Sequence, residues 1–167
     1  MVYSNSDGYA DHSLIKLDDP LNGYSGANNP EVISCELKLT VYYRGFEGSQ
    51  SANIQVERAR NFSPTANWNE FSKNLHPEII YDGGEVVSIP VSLAILGDFD
   101  NGYGDYPFSI DLTPLCKKML QEKKYLLYLS YIINNCPSDT YCASGVDFYG
   151  FSSSNIPRME WKLVCKF

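Results

Sequence analysis

The stretch CELKLTVYY, residues 35–43, decides the fold class, because apolar and polar side chains alternate along it. Cysteine, leucine and valine fall on one face, and glutamate, lysine and threonine fall on the other. A period of two residues is typical of a half-buried β-strand. The C-terminal stretch RMEWKLVCKF, residues 158–167, repeats the pattern. Both stretches are therefore predicted to be strands with one face in a core and a charged face in water.

Four further strands are predicted, at residues 51–57, 85–96, 125–133 and 146–151. The stretch 125–133 is apolar on both faces, which is typical of a central strand that is covered on both sides. Pro90 interrupts the stretch 85–96. Since proline cannot donate a hydrogen bond to a neighbouring strand, Pro90 marks an edge strand, a bulge or a break between two strands.

One short helix is predicted to begin at Thr113, with the threonine as N-cap and Pro114 at the first helical position. Asp111 precedes this start and is expected to cap or brace the turn. The predicted strands together indicate an all-β fold, and the helix is a single short addition to it. The expected architecture is a two-sheet antiparallel β-sandwich of jelly-roll-like type with one short helix. The chain is expected to form a single domain, 1–167, in which residues 1–12 form an N-terminal arm.

The charge, the hydropathy and the start of the chain disfavour several kinds of partner and location. The net charge of −7 disfavours nucleic acid as a partner, because an acidic surface repels phosphates. No apolar run approaches the ~20 residues that cross a bilayer, so no membrane span is expected. The polar start lacks the basic and apolar regions of a signal peptide, so none is predicted in this chain, although a chain trimmed from a secreted precursor would look the same.

The five cysteines leave two interpretations open. Cys35 and Cys165 lie on apolar strand faces, where cysteine usually acts as a small hydrophobic residue. Cys136 and Cys142 share a polar loop and are candidates for a disulfide in an oxidising compartment. A chain whose thiols are all free fits the sequence equally well. No CxxC pair occurs, which disfavours a zinc site or a redox motif.

No catalytic motif is present, and the two histidines, His12 and His76, lie in different regions. The chain is therefore predicted not to be an enzyme, with no catalytic residue and no cofactor apart from a candidate structural calcium ion. The calcium candidates are oxygen-bearing residues spaced through one glycine-containing loop: Asp98, Asp100, Asn101 and Asp105. The alternative is a loop built from ordinary turn-forming residues.

Aromatic residues near loops form the candidate binding set. Exposed rings stack on the apolar faces of sugars, and the candidates for carbohydrate binding are Trp68, Tyr103, Tyr106 and Tyr149. The alternative for Trp68 and Tyr149 is packing in the core or at its rim.

Five stretches occur in a recognisable order: residues 14–18, 32–42, 68–70 and 108–113, and an ending that runs through Phe148-Tyr149, Ser152-Ser153 and Pro157 into the final strand. In this order they resemble the DNRLRE-domain family, β-sandwich modules akin to carbohydrate-binding modules of extracellular and cell-wall proteins. The resemblance implies a β-sandwich and carries over no individual sugar-binding residue. Lys16 stands where arginine is common in the family.

Two functions follow as expectations. The first is a non-enzymatic structural or recognition module of a multi-subunit surface, and the leading example is a decoration, knob or fibre-associated protein of a virion. Its partners would be subunits of the assembly, including copies of itself, and glycans. The alternative is a carbohydrate-binding module of an extracellular or cell-surface adhesion protein. Both place the chain on a virion or extracellular surface.

Overall fold

The computed structural model describes residues 2–4, 10–24, 26, 28–46, 51–59, 86–91, 102–134, 144–149 and 154–166. The described elements, in chain order, are β1 (Val2–Ser4), β2 (Ala10–Lys16), β3 (Asn28–Phe46), β4 (Ser51–Arg58), β5 (Val87–Val91), β6 (Gly102–Asp111), α1 (Thr113–Glu122), β7 (Leu126–Asn134), β8 (Ser144–Phe148) and β9 (Arg158–Lys166).

The strands form two antiparallel sheets. The larger sheet has five strands in the order β1-β2-β7-β4-β5. In the smaller, four-stranded sheet, β6 flanks one side of β3, and β8 and β9 also pair with β3. Strand β3 is 19 residues long, so it pairs with β9 along its first part and with β8 along its last.

The core consists of the inward faces of both sheets. Alternate residues of β3 are almost completely buried, and the core also takes side chains from strands of the larger sheet and from α1. The predicted all-β, two-sheet antiparallel sandwich with one short helix is therefore confirmed for the described residues. Strands β1 and β2 begin within residues 1–12, the predicted arm, and pair with each other there.

Two strand predictions are confirmed in detail. Strand β7 lies at the centre of the larger sheet, and neighbouring residues on its opposite faces, Leu127 and Tyr128, are 0% and 1% exposed. Strand β5, which contains Pro90, is an edge strand of the same sheet. A proline is tolerated at this position because β4 is the one described strand with which β5 pairs.

The predicted role of Thr113 as N-cap is wrong. The N-cap residue is Leu112, whose side chain makes no capping hydrogen bond. Thr113 is therefore the first helical residue, and Pro114 is the second, one position later than predicted. Asp111 braces the turn instead: its Oδ1 accepts hydrogen bonds from the Thr113 amide at 2.9 Å and the Thr113 hydroxyl at 2.6 Å. The threonine oxygen in turn accepts the amide hydrogen of Cys35 at 3.1 Å, so it connects the helix to β3.

The interpretation of Cys35 as a free, small hydrophobic residue is wrong, because Cys35 forms a disulfide with Cys116 of α1. Both residues are fully buried. The helix packs against β3 and so places Cys116 beside Cys35, which a spacing of 81 residues does not reveal. Cys165 has a free thiol, as expected. Cys136 and Cys142 lie outside the described residues.

Helix α1 is also joined to the larger sheet. At the end of β4, the buried Arg58 donates from Nη1 to Oε2 of Glu122 at 2.7 Å. The helix therefore contacts a strand of each sheet at one end of the sandwich. In the part of the chain that the structure describes, no helix has the length and apolar character that a membrane span requires.

Candidate functional site

The outward face of the smaller sheet carries most of the described polar chemistry. Its side chains come from alternate positions of β3 and β6, whose intervening residues point into the core. Cross-strand register arranges these outward residues in rows. Lys38 lies between Ser109 and Arg158, and Glu36 lies between Asp111 and Glu160. A row of carboxylates therefore lies beside a row that contains two cations.

Ion pairs and hydrogen bonds connect the two rows. The Lys38 ammonium group pairs with Glu36 and donates to Oγ of Ser109 at 3.1 Å. The same serine hydroxyl donates to Oε2 of Glu36 at 3.1 Å. Glu160 lies 3.8 Å from Nζ of Lys38 and 3.2 Å from Nη2 of Arg158. The five residues thus form a continuous network across three strands.

This network keeps its central pair charged. Hydrogen bonds from Lys38 and then from Ser109 lower the pKa of Glu36 below its usual range. The hydrogen bond to Glu36 raises the pKa of Lys38 above its usual range. Lys38 is therefore a hydrogen-bond donor at neutral pH and has no tendency to act as a proton acceptor.

A cleft of about 360 Å³ opens beside this network. Its lining residues come from β3, β6, the start of β9 and the segment that precedes β9: Lys38, Leu39, Thr40, Pro107, Phe108, Ser109, Ser154, Asn155, Ile156 and Arg158. The volume lies at the lower end of the range for small-ligand sites, about 300–1,000 Å³. Hydroxyl, amide and cationic groups share the lining with apolar surface from Pro107 and from Ile156, which is 49% exposed.

Tyr149 and Asp105, predicted for two different kinds of site, are in contact. The Tyr149 hydroxyl donates to Oδ1 of Asp105 at 2.6 Å, and its amide donates to the Thr40 carbonyl at 2.9 Å. Tyr149 therefore lies near the cleft, next to strand β3. The Asp105 carboxylate, a predicted calcium ligand, accepts a hydrogen bond from this tyrosine.

Tyr106 lies on the other face of the smaller sheet. Its half-buried ring packs against the core and covers Gly104, where a Cβ atom would collide with it. Tyr106 and Tyr149 therefore do not form a common platform. Only the backbone of Tyr103, within β6, is described. Trp68, the remaining sugar-binding candidate, lies outside the described residues.

Most of the predicted calcium ligands lie outside the part of the chain that the structure describes. Asp98, Asp100 and Asn101 lie outside the described residues, and Asp105 alone of the set is described. Among the residues that the structure does describe, no group of three histidine, cysteine, aspartate or glutamate side chains is placed to hold a metal ion.

The cleft residues Lys38, Thr40, Ser109, Asn155 and Arg158 were not predicted as a site. Alternation along residues 35–43 places Lys38 and Thr40 on the outward face. It does not show that β6 and β9 pair beside them, which is what assembles the cleft.

No protein-family model matches the chain, and no curated protein is significantly similar to it. The resemblance to the DNRLRE-domain family therefore stays a prediction.

Proposed function

We propose that this chain is a non-enzymatic recognition module of a multi-subunit surface, such as that of a virion, and that it binds its ligand in the cleft on the smaller sheet. The observation that carries the proposal is the convergence of Lys38, Ser109 and Arg158 on one cleft from three strands. Side chains held on strands are more rigidly placed than those on loops, and such placement favours recognition.

The chemistry of the lining favours a ligand rich in hydroxyl groups. Lys38 and Arg158 are partly neutralised by Glu36 and Glu160, so the network has balanced charge and presents both donors and acceptors. A hydroxyl group can use both at once. The apolar surface of Ile156, exposed beside these groups, suits the CH face of a sugar ring.

The state of the charged groups favours binding over proton transfer. A general base requires a pKa close to the working pH. The pKa values of Glu36 and Lys38 are shifted in opposite directions, away from neutrality, by the hydrogen bond between them. This pair is therefore better suited to hydrogen bonding with a ligand than to exchanging a proton with it.

The disulfide between Cys35 and Cys116 supports a location outside the cytoplasm. Disulfides form and persist in oxidising environments, which include the extracellular space and the surfaces of virions and cells. The second candidate function, a carbohydrate-binding module of an extracellular or cell-surface protein, draws on the same disulfide and on the polar cleft. The two candidates differ in whether the chain works as a subunit of an assembly.

A glycan array with a cleft-filling variant tests the proposal. Thr40 points into the cleft from the central strand, so Thr40→Trp is expected to fill it and to reduce ligand retention by about tenfold or more. Ser88→Trp is the matched control, because Ser88 is exposed on β5 of the other sheet. Selective glycan binding by the wild type and by the control, lost in Thr40→Trp, would support the cleft as the site.

The same samples distinguish the two candidates. An assembly that binds glycan supports the surface module, and a monomer that binds glycan supports the carbohydrate-binding module. An assembly without glycan signal would make the chain an architectural subunit and would overturn ligand recognition in the cleft. Glycan binding that Thr40→Trp leaves intact would overturn the location of the site.

A further inference from the structure

Strand β9 differs from the other edge strands that the structure describes. Natural edge strands are kept from pairing with other chains by short length, proline, irregular backbone or charged side chains. The charges on β9 alternate in sign, so they do not by themselves oppose pairing with a strand of matching charge pattern. Strand β1 has three residues, β5 has five and contains Pro90, β6 contains Pro107, and β8 has five and contains Gly145. Strand β9 has nine residues without proline or glycine, and β3 is the one strand with which it pairs in the described part of the chain.

The core is incompletely covered along β9. On the neighbouring strand β3, the inward residue Leu37 is 0% exposed. The inward residues of β9 pack against the same core yet stay partly exposed: Met159, Trp161 and Leu163. Trp161 contacts the ring of Tyr125 edge-on, with 6.3 Å between ring centroids, and leaves part of its indole in solvent. Apolar surface is therefore available beside an edge with no described partner.

The outward residues of β9 make this edge complementary to itself. Glu160 and Lys162 are both exposed and lie on either side of Trp161. A two-fold axis through Trp161 places Glu160 of one copy opposite Lys162 of the other, and does so twice. The same register places Trp161 opposite its own copy and Met159 opposite Leu163.

The neighbouring registers lack this complementarity. Antiparallel strands related by a two-fold axis keep inward residues opposite inward residues, so the register changes in steps of two. A shift in one direction places Lys162 opposite Lys162, and a shift in the other places Glu160 opposite Glu160. Like charges in directly opposite positions are destabilising. The register centred on Trp161 is thus preferred over both neighbours.

We propose that two copies of this chain dimerise through antiparallel pairing of their β9 strands, with the two-fold axis at Trp161. The smaller sheets of both copies then form one continuous sheet. The inward residues of β9 become covered by their counterparts from the second copy. Lys162 neither lines the cleft nor belongs to the charged network beside it, so a change at Lys162 tests association separately from ligand binding there.

Sedimentation equilibrium of the full chain across a concentration series tests the proposal. The wild type is expected to approach twice the 18.8 kDa mass of the chain as concentration rises. Lys162→Glu brings two like-charge pairs together, and is expected to raise the dissociation constant about tenfold or more. The matched control Lys117→Glu makes the same charge change on the exposed surface of α1 and is expected to leave association unchanged.

A variant in which the charges of Glu160 and Lys162 are exchanged distinguishes specific β9 pairing from a general effect of net charge on association. The double variant Glu160→Lys/Lys162→Glu restores opposite charges across the dimer, so it is expected to dimerise again. Thermal unfolding of each variant at a concentration where it is monomeric shows that the fold is kept. A monomeric wild type at all concentrations, association of Lys162→Glu at wild-type strength, or a folded double variant that stays monomeric would each overturn the proposal.

Discussion

Cys35 on strand β3 is bonded through its sulfur to Cys116 on helix α1, 81 residues further along the chain. The backbone of Cys35 is tied to the same helix start, because its amide donates to Oγ1 of Thr113 and its carbonyl accepts from the amide of Leu112. The helix is therefore attached to the central strand of the smaller sheet by covalent and hydrogen bonds. These bonds surround a fully buried position.

The double variant Cys35→Ala/Cys116→Ala is expected to lose about 4 kcal/mol of unfolding free energy, because the cross-link restricts the unfolded chain. Urea unfolding without reductant measures this loss. Cys165→Ala is the control, since its thiol is free, and a change below about 1.5 kcal/mol is expected there. Alkylation of Cys35 or Cys116 in the unfolded, unreduced protein would show that the disulfide is absent.

Asp111→Asn is expected to destabilise the protein by up to about 1 kcal/mol at pH 7, because the two hydrogen bonds from Thr113 are stronger to a charged carboxylate than to a neutral amide oxygen. Those bonds lower the pKa of Asp111 below its ordinary value of 3.8. The stabilisation is therefore complete above pH 3.8 and is lost as pH falls through the lowered pKa.

Urea unfolding at a series of pH values compares Asp111→Asn with the wild type. Their stabilities should converge in acid. Asp18→Asn, at an exposed position, is the control and should follow the wild type. A difference between Asp111→Asn and wild type that is independent of pH would contradict the carboxylate as the source of the stabilisation.

Glu57→Gln is expected to stabilise the protein by about 1 kcal/mol at pH 7. The Oε2 atom of Glu57 is buried and has no hydrogen-bond partner among the described residues. Burial raises the pKa of this carboxyl group above 4.5, so the folded state holds the proton more tightly than the unfolded state. Stability therefore falls as pH rises from 4.5 through the raised pKa, and the glutamine variant avoids that loss.

Thermal unfolding at pH 4 and pH 7 measures this effect. The variant should exceed the wild type at pH 7 and match it at pH 4. Glu31→Gln makes the same change at an exposed position of β3 and should show no such gain. A Glu57→Gln variant that is less stable than wild type at pH 7 would show that the charge is compensated.

Tyr125 should resist ionisation in the folded protein. Burial, followed by a hydrogen bond to Asp19, raises its pKa to about 12. The unfolded chain loses this proton first, so the stability due to Tyr125 falls as pH rises from 10 towards 12. The absorbance titration of wild type minus that of Tyr125→Phe should have its midpoint near the raised value. A difference curve with its midpoint at pH 10 would contradict the burial of this phenol.

Local patterns predicted the strands well. Alternation along residues 35–43 and 158–167 corresponds to β3 and β9, and the apolar run 125–133 corresponds to the central strand β7. These predictions succeeded because the faces of a strand are set by the alternating geometry of its own residues. The bracing role of Asp111 was also predictable from local sequence, because its hydrogen-bond partner Thr113 is only two residues away.

Patterns of this kind did not locate the cleft or the face on which each aromatic ring lies. Tyr106 and Tyr149 looked equivalent as aromatic residues near loops, yet one packs on the core and the other contacts Asp105. Their positions depend on how β6 and β8 pair with β3. Pairing between distant strands is a property of the whole fold, and side-chain spacing does not encode it.

The sequence by itself determined that this protein is a β-sandwich, because a strand with one apolar face, such as β3 or β9, must bury that face against a second layer. Tertiary structure alone decided that Lys38 lies between Ser109 and Arg158, and that Cys35 meets Cys116. Each of these contacts joins residues from distant parts of the chain. These contacts depend on how the two sheets and the helix pack around the core, so they form only when all three have come together.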